Sequence, residues 1–347
     1  AARSPVDAVE NLAALQGQQA SAIPWAIGVR CTGVSRARVE ESFARGELVR
    51  SWPMRGTVHV TSARDHHWLR RLLRHRRAAW ERQALSLGLN DALVERAAQV
   101  ACELLETSPL GVSRAELVEA WGRSGIDTVT ASSSREGLRR RHLIMRLHLD
   151  GVLTAGPVRA GEHLIVDARS LPAAPGVAKG EPGHEEALAV LAARYAWGHG
   201  PIDEADLARW TGLTLTEARR ALAGARVAGE SVGLPLAECG GGLARADLAD
   251  LVEDFRVEAE KMRALPSFDE LHVGYRDRSC LTDEAGEALI CPAKNGMFRP
   301  IVVEGGRVVA VRAPGREIVM VKGYESRRRP AARAFDDWEK WLSETQQ

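Results

Sequence analysis

No run of about 18 uncharged apolar residues occurs anywhere in the sequence, so hydropathy gives no sign of a membrane-spanning helix. The first residues also lack the basic-then-apolar pattern of a secretory signal, and a soluble cytoplasmic protein is expected. Cysteine is scarce and scattered. Cys31, Cys102, Cys239, Cys280 and Cys291 form no C-x-x-C pair and have no histidine beside them at zinc-ligand spacing. Reduced thiols are expected, with neither a disulfide framework nor a metal site. Lysine supplies only five of the 47 basic residues, and none is placed for Schiff-base chemistry. G-x-S-x-G, H-E-x-x-H, Walker A and a dinucleotide fingerprint after a strand are all missing. Gly240-Gly241-Gly242 has no Lys-Ser/Thr behind it and reads as a flexible turn. These absences argue against the common serine and zinc hydrolases, P-loop enzymes and dinucleotide oxidoreductases, and no cofactor is expected.

What is present is ordinary globular composition, 45% hydrophobic and 27% charged over 347 residues, a length that favours two or three domains. The net charge of +1 is neutral evidence about partners. Arginine, however, gathers at 70–77, 135–146 and 327–333, where acidic residues are sparse, so local positive faces are expected.

Three stretches repeat one pattern, short helices followed by a pair of short strands, which predicts an α+β, helix-rich fold of three tandem winged-helix domains. The first, residues 1–88, has a helix from Ser4-Pro5, a second helix capped by Ser35, a strand over Arg55–Val60, and a helix from Ser62 to Arg77. The second, residues 89–172, opens a short helix with the capping box Ser113-x-x-Glu116. A longer helix from about Ser134 to Leu149 then carries Leu138, Met145 and Leu149 on one stripe and Arg139, His142 and Arg146 on another. That two-faced helix suits the recognition position of a helix-turn-helix; a solvated arginine face fits it equally. Strands at 152–154 and 162–166, joined through Gly156-Pro157 and Gly161, make a wing. Prolines and glycines mark a linker over 173–183. The third domain, 184–347, holds the clearest helix-turn-helix, Asp206 to Thr214 leading into Glu217–Leu222, with Gly212 at the turn and Thr214 or Thr216 as cap. From Ala264 the texture turns to β: Phe268–Tyr275 alternates, and Asn295–Pro300 leads into a hairpin over 301–311 turning at Gly305-Gly306. A closing helix from about Ala331 buries Phe335, Trp338 and Leu342.

The candidate chemistry lies in Leu15-Gln16-Gly17-Gln18-Gln19, at the end of the first helix. Were that helix to continue, Val9, Leu12 and Gln16 would share a face and Gln18 would point nearly the opposite way. Gly17 lets the helix stop, so that both amides can converge on one site. Two glutamines at a helix end are also ordinary solvated surface residues.

Four blocks change that balance: Ala14-Leu15-Gln16-Gly17-Gln18; Leu48-Val49-Arg50-Ser51-Trp52-Pro53-Met54-Arg55-Gly56-Thr57-Val58-His59-Val60; Leu265-Pro266-Ser267-Phe268-Asp269-Glu270 with Gly274-Tyr275-Arg276-Asp277-Arg278; and Asn295-Gly296-Met297-Phe298-Arg299-Pro300. In this order they resemble the bacterial AlkZ/YcaQ-type winged-helix DNA glycosylases over nearly the whole chain. The resemblance implies three winged-helix domains around a DNA-sized cleft and a catalytic motif of Gln, a middle residue, then Gln or Asp. Gln16 and Gln18 fall on its polar positions. Gly17 is smaller than the usual middle residue, and Gln19 stands where Asp is common. Gln at the second polar position resembles the branch associated with self-protection against crosslinking natural products of the azinomycin type. The implied protein is a monomeric, nucleoid-associated, monofunctional glycosylase of base excision repair acting on double-stranded DNA with alkylated or crosslinked purines, with no membrane partner.

Two neutral amides suit that chemistry. Alkylation at purine N7 makes the base cationic, so it departs neutral and needs no general acid. What remains is to place a water near C1′ and tolerate positive charge on the sugar. A glutamine oxygen can accept the water's hydrogen and a second amide can hold it in line. Positioning can supply up to about 7–11 kcal/mol, ample for a labile bond. Preference for cationic N7 adducts over neutral lesions such as uracil follows.

Around the motif, His59 and Arg55 are candidate supports, a structural hydrogen bond being the plainer role for His59. Arg50, Arg139, Arg146, Asn295, Phe298 and Arg299 are candidate DNA contacts. Phe298 would be a wedge at the C-terminal hairpin and Arg299 a phosphate ligand; core packing for Phe298 and surface salt bridges for Arg50 and Arg55 are the plain alternatives. Asp269 and Glu270, taken as strand neighbours, point to opposite faces and form no acid/base pair. The same architecture also accommodates a non-catalytic winged-helix transcription regulator or a protein-interaction scaffold.

Overall fold

A computed structural model describes residues 1–74, 78–128, 133–172 and 177–344. The predicted last turn of the helix toward Arg77, and part of the linker including Pro175 and Gly176, lie outside these. Helices and antiparallel sheets both contribute, and two compact units divide the chain: Ala1–Val39 with Leu188–Gln347, and Glu40–Ala187. Among the described residues no helix is long and apolar enough to cross a membrane.

In the continuous unit, strands Leu48–Met54 and Thr57–Ser62 form a hairpin, with Met54 opposite Thr57. Arg55 and Gly56 therefore make the turn, both at positive φ (53° and 70°), as a two-residue hairpin of matching twist requires. The strand expected over Arg55–Val60 therefore begins only at Thr57. Leu48–Met54 also pairs with Leu153–Arg159 at Arg50–Ala155, and Leu153–Arg159 pairs with Glu162–Asp167. The connection expected at Gly156-Pro157 is instead part of that strand. Register shifts between Ala155 and Val158, so Pro157, which has no N–H to give, sits in an irregularity. The turn comes at Ala160-Gly161, both at positive φ.

Behind this sheet pack helices Asp91–Glu106, Arg114–Arg123 and Ser133–Asp150. The Ser113 hydroxyl accepts the Glu116 N–H, and the Glu116 carboxylate accepts that of Ser113, the reciprocal cap read from the sequence. Trp121 is fully buried among Leu117, Leu143, Leu147 and Ile165, and its indole N–H donates to the Ala97 carbonyl at 2.9 Å.

In the discontinuous unit, helix His184–His199 from Leu188 onward and helices Glu204–Thr211 and Leu215–Ser231 precede the hairpin Leu236–Cys239/Gly242–Arg245, a helix-turn-helix with a two-stranded wing. Gly212 ends the middle helix at φ 78°, and Thr214 caps the next one through a capping box with Glu217. A four-stranded antiparallel sheet follows, ordered Ile318–Met320, Arg307–Arg312, Ile301–Glu304, Arg263–Leu265. Val302 and Ala310 on one face meet Phe335 and Trp338 of helix Arg328–Ser343. Ile301, Val308 and Val311 on the other pack with Ile290 and Phe298.

The N-terminal segment belongs to this unit. The Trp25 indole donates to the Ala264 carbonyl at 2.9 Å and the Trp341 indole to that of Val34 at 3.0 Å. A Cβ on Gly28 would lie 2.4 Å from the Trp341 ring, so only glycine allows this approach.

Candidate active site

The first helix is short. Ser4 caps it by accepting the Asp7 N–H at 3.1 Å, and it ends at Glu10, well before the glutamines, contrary to the expectation that it reaches Gln16. Two contacts account for the stop. Gly198 lies against the Asn11 carbonyl so closely that a Cβ there would be 1.9 Å from the oxygen. Two residues on, the chain reverses in a tight turn about Ala13, at φ 60°, with the Ala14 N–H on the Leu12 carbonyl at 2.7 Å. A non-glycine residue at positive φ stores strain of about 1–3 kcal/mol, and the burial of Ala13, Ala14 and Leu15 holds it in place.

Leu15 and Gln16 are then extended. Gln16 is half-buried, Gly17 buried, and Gln18 and Gln19 exposed. The Gln16 Oε1 atom is buried with no hydrogen-bond partner among the described residues. Gln19 leaves the motif by donating from Nε2 to the Ser21 hydroxyl at 3.1 Å.

Opposite the Gln16 backbone stands a residue to which the sequence assigns no role. Glu270, only 2% exposed, accepts the Gln16 N–H on Oε2 at 2.9 Å. Its Oε1 accepts the Trp210 indole N–H at 2.7 Å and meets His199 Nε2 at 3.4 Å. Asp269, equally buried, grips Arg30 through both oxygens, at 2.9 and 2.7 Å. The Arg30 guanidinium loses hydration on burial, yet the attraction of Asp269 and then Glu270 raises its pKa above the ordinary value.

Both carboxylates face inward because Phe268–Tyr275 is not the strand that its alternation suggests. Phe268 takes φ 61° and Asp269 caps the short helix Glu270–Val273 by accepting the Leu271 N–H. Adjacent residues of a turn and helix start need not point apart as strand neighbours do. The block from Leu265 to Glu270 carried the only signal that could have found them.

Asn295 is exposed and accepts the Met297 N–H at 3.0 Å. Phe298 is half-buried, edge-on to Phe268 and His272 with ring centroids 5.7 and 5.1 Å apart. Arg299 donates to the Leu289 carbonyl at 3.2 Å. A shallow cavity of about 490 Å³ borders Gln19, Phe268, Met297, Phe298 and Arg299.

The remaining candidates lie in the continuous unit. His59 is fully buried; its Nδ1 faces the Thr57 carbonyl at 3.1 Å and its Nε2 faces Arg55 at 3.4 Å. Since a carbonyl only accepts and a guanidinium only donates, the proton is on Nδ1. Burial pushes the Arg50 guanidinium down to about 10. Arg139 is half-buried, and Arg146 is paired with Asp150 at 2.6 Å and Asp91 at 3.1 Å. Among the described residues no group of three or more His, Cys, Asp or Glu could hold a metal ion.

The family described as DNA glycosylase AlkZ-like matches the chain over residues 9–335. Among solved structures, the Streptomyces sahachiroi DNA glycosylase AlkZ is similar, with a TM-score of 0.63 at 21% identity, over 95% of this chain and 91% of that one. None of the curated proteins matches.

Proposed function

The chain belongs to the AlkZ-like DNA glycosylase family, and from that premise we propose that it hydrolyses the N-glycosidic bond of N7-alkylated purines in duplex DNA, including purines held in interstrand crosslinks. The observation that carries this reading is the Gln16 carboxamide. Its backbone is tied to a buried carboxylate, while its Oε1 is buried without a partner among the described residues. A buried amide oxygen is costly unless something donates to it, and a water or substrate group can do so.

In the reaction the water oxygen bonds C1′ as the C1′–N9 bond breaks, and that bond's electron pair neutralises the cationic base. The water proton passes to solvent. The Gln16 oxygen accepts a hydrogen bond from the water without taking its proton, and Gln18 orients the same water. Hydrolysis leaves an abasic sugar, and no lysine is needed, which makes the enzyme monofunctional. We read the helix-and-wing pattern over 1–88, 89–172 and 184–347 as three winged-helix domains along the sequence, the first of them divided after Val39 between the two compact units. Arg50, Arg139, Asn295 and Arg299 are its candidate DNA contacts, with Arg55 and His59 as active-site support. Arg146 reaches phosphate only by leaving its two aspartates. Phe298 acts from its half-buried position as a wall beside the motif.

Single-turnover assays on duplexes carrying N7-methylguanine, with alkali to reveal abasic sites, test this. Gln16→Ala and Gln18→Ala should each slow excision on the order of 100-fold with DNA affinity nearly intact. Equal rates on N7-methylguanine and uracil would sink the proposal, and a gel shift without strand breaks would point to a regulator.

A further inference from the structure

Glu270 has no part in that chemistry, yet its buried carboxylate is held from several sides. Its carboxylate faces three N–H groups, from Gln16, Trp210 and His199, and an acceptor-only group is what such a set of donors requires. The donors are themselves fixed. Tyr195 stacks between His199 and Trp210 with centroids 4.4 and 4.7 Å away, and its hydroxyl donates to the Gly274 carbonyl at 2.6 Å. Tyr275 donates to the His199 carbonyl at 3.0 Å. A Cβ on Gly274 would stand 3.2 Å from Glu270 Oε1 and 2.6 Å from the Glu270 carbonyl oxygen, so glycine lets this cage close.

Resting on the glycosylase reading above, we propose that Glu270 is the positioning residue of the glutamine motif: its carboxylate fixes the Gln16 peptide plane and so aims the side-chain amide. The buried Leu15 side chain holds one side of the extended segment, and the bond from Gln16 N–H to Oε2 fixes the plane of the peptide that enters Gln16. The anchor lies 254 residues away in sequence, so the aim of the motif depends on a distant turn rather than on the helix before it.

Glu270→Gln tests this, because the isosteric amide has one acceptor oxygen where the Gln16 and Trp210 N–H donors need one each, while the His199 ring can carry its proton on Nδ1 and accept from the new NH2 group through Nε2. With the oxygen on Trp210, the new NH2 group opposes the Gln16 N–H. We expect single-turnover excision of N7-methylguanine to fall on the order of 100-fold, the cost of misaiming a catalytic group by about 1 Å, while affinity for an abasic-site duplex changes less than about threefold. Adding Trp210→Phe removes the competing donor, so the amide oxygen can turn to Gln16, and the double variant should be at least about tenfold faster than Glu270→Gln alone. A purely structural role predicts the opposite, further loss.

Amide exchange supplies a readout that needs no substrate. Gln16 should be protected in the unmodified chain and exchange at least about tenfold faster in Glu270→Gln. Fast Gln16 exchange in the unmodified chain, unchanged exchange or an unchanged rate in Glu270→Gln, or a double variant no faster than the single one would each overturn the proposal. If the unmodified chain does not excise N7-methylguanine, the substrate reading falls while the exchange comparison still decides for or against Glu270.

Discussion

Asp269 and Arg30 show how a single side chain can serve fold and site together. The Asp269 side chain is 0% exposed and Arg30 is 21% exposed, so the pair is largely withdrawn from water. Its geometry is bidentate, and Asp269 also caps the helix on which Glu270 sits. Asn would still cap but cannot balance the guanidinium. Asp269→Asn should therefore destabilise the protein by about 3 kcal/mol, the lower end for breaking a buried pair by removing one partner. Arg30→Met with Asp269→Leu should recover part of that loss. Urea unfolding checks both, and a single-variant loss below about 1 kcal/mol, the range of an exposed pair, would refute the account. Residue by residue, the sequence pointed to Gln16 and Gln18 as candidates through their resemblance to a known motif. It concealed Glu270, because a phenylalanine at φ 61° leaves no trace in composition: Phe268 is held there by tertiary packing, not by its own preference.

At the level of elements, what was legible has local causes. The capping boxes Ser113/Glu116 and Thr214/Glu217 and the left-handed Gly212 each satisfy groups within four residues of themselves, so the chain spells them out. What was not legible depends on distant packing: the helix that stops at Glu10 beneath Gly198, and the alternating Phe268–Tyr275 that folds as a turn and helix. The continuous unit adds a pH dependence of its own. His148 of helix Ser133–Asp150 is bonded to Ser51 at 3.1 Å, and burial, reinforced by Arg50, lowers its pKa from 6.5 to about 3. His163 meets the Gly156 carbonyl at 2.8 Å. Burial lowers it to about 4, opposed by that bond and assisted by Arg50. Because both values are depressed in the folded state, the unfolded chain binds protons first. Stability is full above the ordinary imidazole value of 6.5 and is lost as pH falls toward about 4 and then about 3. Thermal unfolding from pH 8 downward should show this decline beginning near pH 6.5, before the carboxylates titrate. His148→Gln should be less stable at neutral pH but lose less on acidification. An unchanged slope would remove His148 from the explanation.

On the scale of the whole molecule, the order of the chain and the order of its cores differ. One unit is made of Ala1–Val39 and Leu188–Gln347, with Glu40–Ala187 intervening in sequence. Hydrophobic periodicity reports which face of an element is buried, not which distant segment buries it; hence the docking of Trp25 on Ala264 and of Gln16 on Glu270 was not readable in advance. A consequence is mechanical. Lys179–Gly183 is exposed, and a protease site inserted between Pro182 and Gly183 would allow the backbone to be cut after folding. The N-terminal fragment would then contain Gln16, Trp25 and Arg30, and the C-terminal fragment Glu270, Ala264 and Asp269, which hold them. The Trp25 ring adds stacking on Trp338 and an edge contact with Trp341. The two fragments should therefore co-elute on size exclusion and retain excision activity, separating only in denaturant. Introducing Arg30→Met and Asp269→Asn together with the cut should lower the denaturant concentration at which they part. Fragments that separate in plain buffer would mean that the N-terminal segment is not an integral part of the core it touches.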